Sequence, residues 1–229
     1  MTEIGSMWTA VKLWPNSTVF IVGGGASLNK TGLVWGKETR DEIRESVNQS
    51  LACIHDKRVI GVNNAFELGD WVDVLFFGDQ RWIEWNRAKA AAFSGLTVTN
   101  VPKLNAGSWV KKLLRTEQFG IDTKPTHCSW NKNSGCAAIN LAVHLGAKTI
   151  VLIGFDMQVG ANQQHDWHRI HRVENHPTRD LPYEQRFLPP IPEIKRDLDK
   201  LGIRVINTSM QSQIKEFEKM ELEEVMKLC

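Results

Sequence analysis

A chain of 229 residues, 42% of them hydrophobic and with a net charge of +2, has the size of one globular domain, and its interspersed charges give no support for a nucleic-acid-binding face. No apolar run approaches the about 18 residues of a membrane-spanning helix, and no secretory signal opens the chain, so we expect a cytoplasmic protein without a membrane partner. Its four cysteines form no close pair, which favours reduced thiols over disulfides or a zinc site.

The first predicted strand runs directly into a glycine-rich turn, in the sequence VFIVGGGASL at residues 19–28. Glycines let a ligand approach the backbone, and consecutive N–H groups can converge on an anion. The turn lacks the Gly-Lys-Ser/Thr ending of a Walker A loop, and Leu28 stands at the sixth position of a dinucleotide fingerprint. We predict a nucleotide or another phosphate-bearing ligand here. A strand-to-loop turn without a ligand is the alternative.

Strands and helices are predicted to alternate along the rest of the chain. Ile43, Val47, Leu51 and Ile54 recur at helical spacing within the polar stretch 37–56, and the β-branched run 149–153 is typical of a strand covered on both faces. Further strands are predicted at 58–62, 71–77, 96–99 and 202–206, and further helices at 80–93, 108–117, 134–144, 189–201 and 211–228. Residues 158–183 are polar and predict a long functional loop.

This alternation predicts a single α/β domain, Rossmann-like and doubly wound, with a mostly parallel sheet. Its core spans about residues 18–206. Residues 207–229 are expected to add a C-terminal amphipathic helix that packs on the domain or on a partner. The sequence leaves open a homo-oligomer.

Polar residues follow the predicted strands at the points where each strand ends. Strand ends converge at one edge of such a sheet, so these residues are expected to line one cleft. They are Ser27, Asn63, Asn64, Asp79 and Asp156, together with Asn133, Ser134 and Gly135 at the start of a helix. The helix N-terminus would offer N–H groups to a phosphate. The alternative for Asn64, Asp79 and Ser134 is helix capping.

Four histidines, His165, His168, His171 and His176, fall within twelve residues of the polar stretch. A histidine near its ordinary pKa is suited to removing a proton from a hydroxyl, so one of them is a candidate general base. Two alternatives are a metal site, with Asp156, Asp166 and Glu174 as the nearby carboxylates, and a polar surface loop. Arg169 and Arg172 are candidates to neutralise a leaving phosphate.

The order of these motifs resembles a known superfamily. The chain resembles the sialyltransferase-like glycosyltransferases in four motifs that occur in the same order. They are GGGASL, then GVNNAF at 61–66, then NSGCAAINLAVHLGAKTIVLIGFDM at 133–157, and a later histidine motif. Uncharacterised members of phage type belong to this group, which borders the 6-hydroxymethylpterin diphosphokinases. The resemblance covers about residues 18–206.

The resemblance implies roles for particular residues. Gly24, Gly25, Ala26, Ser27 and Leu28 match the turn that holds the nucleotide, and Asn63 matches an asparagine that contacts it. Asn133, Ser134 and Gly135 match the helix start on the other side of the donor, and Gly154, Phe155 and Asp156 match a strand end. His168 or His171 matches the base.

The sequence therefore predicts an enzyme that transfers a sugar from a nucleotide-sugar donor to an acceptor hydroxyl, in one inverting displacement. The acceptor classes left open are a glycan, a small molecule and a modified DNA base, and phage type implies a phage-encoded protein in a host cytoplasm. One alternative is a Mg²⁺-dependent diphosphokinase with the metal held by Asp79 and Asp156. Another is a nucleotide-binding protein without catalysis.

Overall fold

The computed structural model describes residues 7–29, 39–104, 107–160, 166–168 and 183–229. In this part of the chain the strands are β1 Ser17–Val22, β2 Arg58–Val62, β3 Val74–Phe77, β4 Leu96–Thr99, β5 Lys111–Lys112, β6 Leu114–Thr116, β7 His127–Ser129, β8 Ala147–Ile153, β9 Arg204–Asn207 and β10 Glu218–Lys219. The α-helices are α1 Arg40–Ser50, α2 Gln80–Ala91, α3 Ser134–Leu145, α4 Ile191–Lys200 and α5 Leu222–Met226.

Eight of these strands form one sheet in the order β10-β9-β8-β1-β2-β3-β4-β5, and every neighbouring pair is parallel. Strands β6 and β7 form a separate parallel pair. The predicted Rossmann-like α/β fold with a mostly parallel sheet is confirmed. Within the described residues, no helix is long and apolar enough to cross a membrane.

The central strand β1 is buried on both of its faces. Val19 and Ile21 pack in the same apolar cluster as α3 and α4, whereas Phe20 and Val22 pack in the cluster that holds α1 and α5. Successive side chains of a strand point to opposite faces, so a continuous apolar run is what a strand between two helical layers requires.

The sheet changes its winding direction between β1 and β8. After β1 the chain crosses to β2 through α1 on one face, and after β8 it crosses to β9 through α4 on the other face. The two loops that follow β1 and β8 therefore separate, and a crevice opens at the carboxyl ends of these strands. This is where open α/β sheets bind their ligands.

The prediction of a helix at 108–117 is wrong. These residues form β5 and β6, and the turn between them is tied to β4 because the Leu113 N–H donates to the Thr99 carbonyl at 2.8 Å. Val110 and Leu113 are buried against the sheet. Pairing with a sheet edge outweighs the helical spacing of this segment, and the sequence window alone does not contain that edge.

The predicted C-terminal helix over 211–228 is also wrong for most of its length. Only Leu222–Met226 is α-helical, and β10 precedes it. The Gln213 N–H donates to the Asp156 carbonyl at 2.9 Å, and the Ser212 hydroxyl donates to the Phe155 carbonyl at 2.6 Å. These bonds hold residues 211–214 in an irregular, non-helical conformation against the end of β8.

Two predicted strands differ in extent. The strand predicted at 71–77 is confined to β3, and the one predicted at 202–206 is β9, which is followed by β10 rather than ending the sheet. The helix predicted at 37–56 is α1 followed by a short 3₁₀ turn, Ala52–Ile54, and its four apolar side chains are buried as expected.

A buried histidine on α3 predicts a pH-dependent stability. Burial lowers the pKa of His144 below its ordinary value, and this outweighs the hydrogen bond of its Nε2 to the His127 carbonyl at 2.8 Å, which raises the pKa. In the unfolded chain the His144 imidazole titrates near its ordinary pKa of about 6.5. Below that pH, His144 therefore binds more protons in the unfolded chain than in the folded one. We therefore expect the free energy of unfolding to fall as the pH drops below about 6.5.

The variant His144→Gln keeps a side-chain N–H for the carbonyl and removes the titrating group. Urea unfolding at pH 7.5 and 5.5 is expected to show a smaller loss of stability in the variant than in the wild type. An equal loss in both proteins would show that His144 is not responsible.

Candidate functional site

A cavity of about 320 Å³ lies at the carboxyl ends of β1, β2, β3 and β8, beside the start of α3. The structure brings most of the predicted site residues together around it. Those that line the cavity are Gly24, Gly25, Asn63, Asp79, Asn133, Ser134, Gly135, Asp156 and His168. Ala26, Ser27 and Asn64 are not part of its lining. His165 and His171 lie outside the described residues.

The glycines of the first turn differ in what surrounds them. A Cβ added to Gly25 would lie 2.6 Å from both the Asp156 carboxylate and the Gly154 carbonyl oxygen, so the protein itself requires glycine there. A Cβ added to Gly24 would meet only the His168 Nε2 atom, at 3.8 Å. The backbone of Gly24 is therefore the part of the turn that is open to a ligand.

Asp156 links the turn after β1 to the loop after β8. Its carboxylate accepts hydrogen bonds from the Ser27 N–H at 2.8 Å and from the Ser27 hydroxyl at 2.5 Å. The Ser27 hydroxyl also lies 3.1 Å from the Ser209 hydroxyl, which follows β9. Asp156 is 6% exposed, so these bonds compensate for the burial of its charge. Ser27 thus fixes the turn through Asp156 without lining the cavity itself.

The two asparagines after β2 point in different directions. Asn63 has a left-handed backbone with φ of 52°, and its Oδ1 atom is buried at the cavity without a hydrogen-bond partner among the described residues. Asn64 is buried away from the cavity, where its Oδ1 accepts from the Trp82 indole N–H at 2.8 Å. The Asn64 amide nitrogen lies 3.1 Å from the His168 Nε2 atom.

The start of α3 is capped by the chain itself. The Asn133 side chain accepts from the N–H groups of Gly135 and Cys136, at 2.7 and 3.2 Å. The N-cap is therefore Asn133, and Ser134 is the first helical residue, whose hydroxyl accepts from the Gly78 N–H at 3.3 Å. Two of the N–H groups that the sequence analysis assigned to an anion are already bonded, although the positive end of the helix still faces the cavity.

Asp79 has both of the roles that its sequence position allows. Its side chain accepts from the Arg81 N–H at 2.7 Å and caps α2, and the same residue borders the cavity. In the part of the chain that the structure describes, no group of three or more His, Cys, Asp or Glu side chains is placed to hold a metal ion.

His168 is held over the glycine turn by its neighbours. The preceding Trp167 is fully buried, and its backbone N–H donates to the Gly24 carbonyl at 3.0 Å. The His168 ring is 6% exposed and its Nδ1 atom lies 3.3 Å from the Asp166 carboxylate. The Asn64 amide nitrogen lies 3.1 Å from Nε2 and 3.3 Å from Nδ1, so Asn64 and Asp166 together position the imidazole.

Several residues of the cavity wall are not among the site residues predicted from the sequence. Trp130 and Lys132 precede the predicted helix start, and Tyr183, Arg186 and Phe187 lie on a π-helical turn. Burial raises the pKa of Tyr183 to about 12, and the charges of Asp156 and Asp166 add to this shift. The only sequence signal was the position of these residues beside segments already assigned to the site.

No family model and no curated protein matches the chain. Solved structures with a similar fold include the MAf glycosyltransferase from Magnetospirillum magneticum AMB-1, with a TM-score of 0.57 and 14% identity over 94% of this chain. This chain spans 35% of the length of that protein. Another is the sialyltransferase CstII from Campylobacter jejuni, solved with a substrate analogue, CMP-3FNeuAc, with a TM-score of 0.48, 13% identity and coverage of 89% of this chain and 86% of that one. The similarity to the first of these structures agrees with the Rossmann-like α/β fold described above.

The two central glycines allow a matched test of this geometry. We expect Gly24→Ala to leave the free energy of unfolding within about 0.5 kcal/mol of the wild type, because among the described residues its Cβ would make only an ordinary contact with His168 at 3.8 Å. Gly25→Ala is expected to lower it by about 1–3 kcal/mol, because its Cβ would overlap the Asp156 carboxylate and a backbone carbonyl. Urea denaturation measures both. Equal losses would mean that the turn is packed differently.

Proposed function

We propose that this chain is a glycosyltransferase that takes its sugar from a nucleotide-sugar donor. The observation that carries the proposal is the placement of a buried histidine beside a glycine backbone at the cavity. The Nε2 atom of His168 lies 3.8 Å from the point where a Gly24 Cβ would be. Both residues lie in the cavity at the carboxyl ends of the strands, and this is where open α/β sheets such as the fold shared with the MAf glycosyltransferase bind ligands.

The donor would lie across the turn after β1 and the start of α3. The Gly24 backbone leaves room for close approach, and the positive end of α3 favours the phosphate. The Asn63 Oδ1 atom is a buried acceptor without a partner in the described structure, and such an atom costs free energy unless a ligand donates to it. A hydroxyl or amino group of the nucleoside would supply that donor.

His168 would act as the general base in a single displacement. The acceptor oxygen attacks the anomeric carbon while the bond from that carbon to the phosphate oxygen breaks. The acceptor proton passes to the imidazole, and the electron pair of the broken bond leaves with the nucleotide. Attack from the face opposite the leaving group inverts the anomeric centre. The Asp166 carboxylate beside Nδ1 would stabilise the imidazolium that forms.

The nucleotide site is tested by thermal unfolding with CMP, UDP, GDP, ADP and ATP, each with and without Mg²⁺. A nucleotide present at 100 times its Kd should add about 2.7 kcal/mol of stability. If no nucleotide raises the melting temperature, the proposed donor site is wrong. A response to ATP that requires Mg²⁺ would favour diphosphate transfer instead.

The variant Asn63→Gly separates binding from stability. Glycine suits the left-handed backbone and removes the unpartnered acceptor, so we expect the unliganded protein to gain up to about 1 kcal/mol. The nucleotide that stabilises the wild type should bind at least tenfold more weakly. An unchanged nucleotide affinity would remove Asn63 from the donor site.

The role of His168 is tested with His168→Asn. Donor hydrolysis or transfer is expected to lose about 10²–10⁴-fold in kcat, with a donor Kd within threefold of the wild type, because a base acts on the transition state. His55→Asn is the matched control, since His55 stacks on Trp71 and does not line the cavity. A kcat that matches that of the control would exclude His168 as the base.

A further inference from the structure

An indole ring lies at the cavity wall formed by the turn between β7 and α3. Trp130 is half-buried and borders the same cavity as Gly24 and His168. Its six-membered ring abuts Gly78 at the end of β3, where an added Cβ would overlap the indole. The donor proposed above uses the glycine turn, Asn63 and the start of α3, and it leaves Trp130 without a role.

The orientation of this indole is fixed by an arginine on one face. The guanidinium carbon of Arg115 lies 4.0 Å from the centre of the Trp130 ring. Arg115 is in turn held by the Gly78 carbonyl, by the Asn100 carbonyl at 3.0 Å and by the Asn100 side-chain oxygen at 3.3 Å. Arg115 covers one face of the indole and Gly78 lies against its six-membered ring, and the same side chain borders the cavity.

The turn that carries Trp130 is held in a costly backbone conformation. Asn131 and Lys132 are consecutive left-handed residues, with φ of 51° and 58°. The buried Asn131 side chain compensates by bonding both backbone groups of Gly120, the N–H and the carbonyl, each at 2.9 Å. Strained backbone that is fixed in this way is concentrated at ligand sites.

Charged groups lie beside the indole at the cavity. Asp79 and Lys132 both border it, and the Lys132 ammonium is 3.0 Å from the Glu117 carboxylate. A cavity whose lining combines an indole with an acidic and a basic residue suits a sugar ring. The C–H groups of a pyranose carry partial positive charge and pack on the negative face of an aromatic ring, and its hydroxyls bond to the charged groups.

We propose that Trp130 is the platform on which the acceptor binds, and that the acceptor is a saccharide whose pyranose ring stacks on the indole. This inference rests on the proposed function. A DNA acceptor fits the chain less well, because its charges are balanced at +2 and a nucleic acid is bound chiefly through its phosphates.

The test measures saccharide and nucleotide binding separately. Methyl β-galactoside, methyl α-glucoside, N-acetylglucosamine and lactose are titrated by calorimetry, with and without the nucleotide that stabilises the wild type. At least one saccharide should bind the wild type. Trp130→Ala should weaken it at least tenfold, Trp130→Phe by no more than about threefold, and the nucleotide Kd should stay within threefold in both.

Trp85→Ala is the matched control, because Trp85 is 65% exposed on α2 and does not line the cavity. It should leave saccharide binding unchanged. Trp130→Leu keeps an apolar contact for Arg115. If the alanine variant does not fold, the leucine variant tests whether saccharide binding depends on the indole. It should lose saccharide affinity as the alanine variant would.

Three results would overturn the inference. The first is that none of the four saccharides binds the wild type in either titration. The second is that the Trp130 variants lose nucleotide affinity while saccharide affinity is unchanged, which would place the indole under the nucleobase. The third is that a single-stranded oligonucleotide, and no saccharide, binds in a way that depends on Trp130. Failure of the donor proposal alone is recognised separately, because saccharide binding without nucleotide would then persist.

Discussion

The contact between the Asp156 carboxylate and Ser27 determines the shape of the site. The loops after β1 and β8 leave the sheet toward opposite faces, and this carboxylate joins them through the Ser27 N–H and hydroxyl. The same carboxylate occupies the space of a Gly25 side chain, so only glycine can stand there. With Gly25 held close to the end of β8, the backbone of Gly24 is the part of the turn left open to a ligand.

The polar residues at the strand ends divide into those that face the cavity and those that hold them in place. Asn63 lines the cavity and its Oδ1 atom has no hydrogen-bond partner among the described residues, while its neighbour Asn64 connects Trp82 to His168 inside the protein. Asn133 caps α3 and thereby fixes the helix start at the cavity edge. These supporting bonds are made within the protein and fix the positions of the side chains around the cavity, and positioning catalysis requires a preorganised site of this kind.

The segment between β4 and α3 contributes a wall of the cavity rather than a connection alone. It pairs with the sheet edge through β5, forms its own two-stranded ladder, and returns through the turn at Trp130. The Asn140 side chain accepts from the N–H groups of Asp122 and Ser129, at 2.9 and 3.0 Å, and ties this segment to α3. A rigid base of this kind is needed to keep Asn131 and Lys132 in left-handed conformations.

The sequence by itself determined the elements whose signal is local. The apolar runs of β1 and β8, the spacing of Ile43 and Val47 in α1, and the glycine turn all follow from neighbouring residues, and nine of the predicted site residues line the cavity. The tertiary structure alone decided what depends on distant partners. Residues 108–117 and 211–221 are not α-helical, because groups of the first segment bond to β4 and groups of the second bond to the end of β8. Gly25 rather than Gly24 is constrained because Asp156 lies beside it. Such contacts join residues far apart in the chain, and no local pattern encodes them.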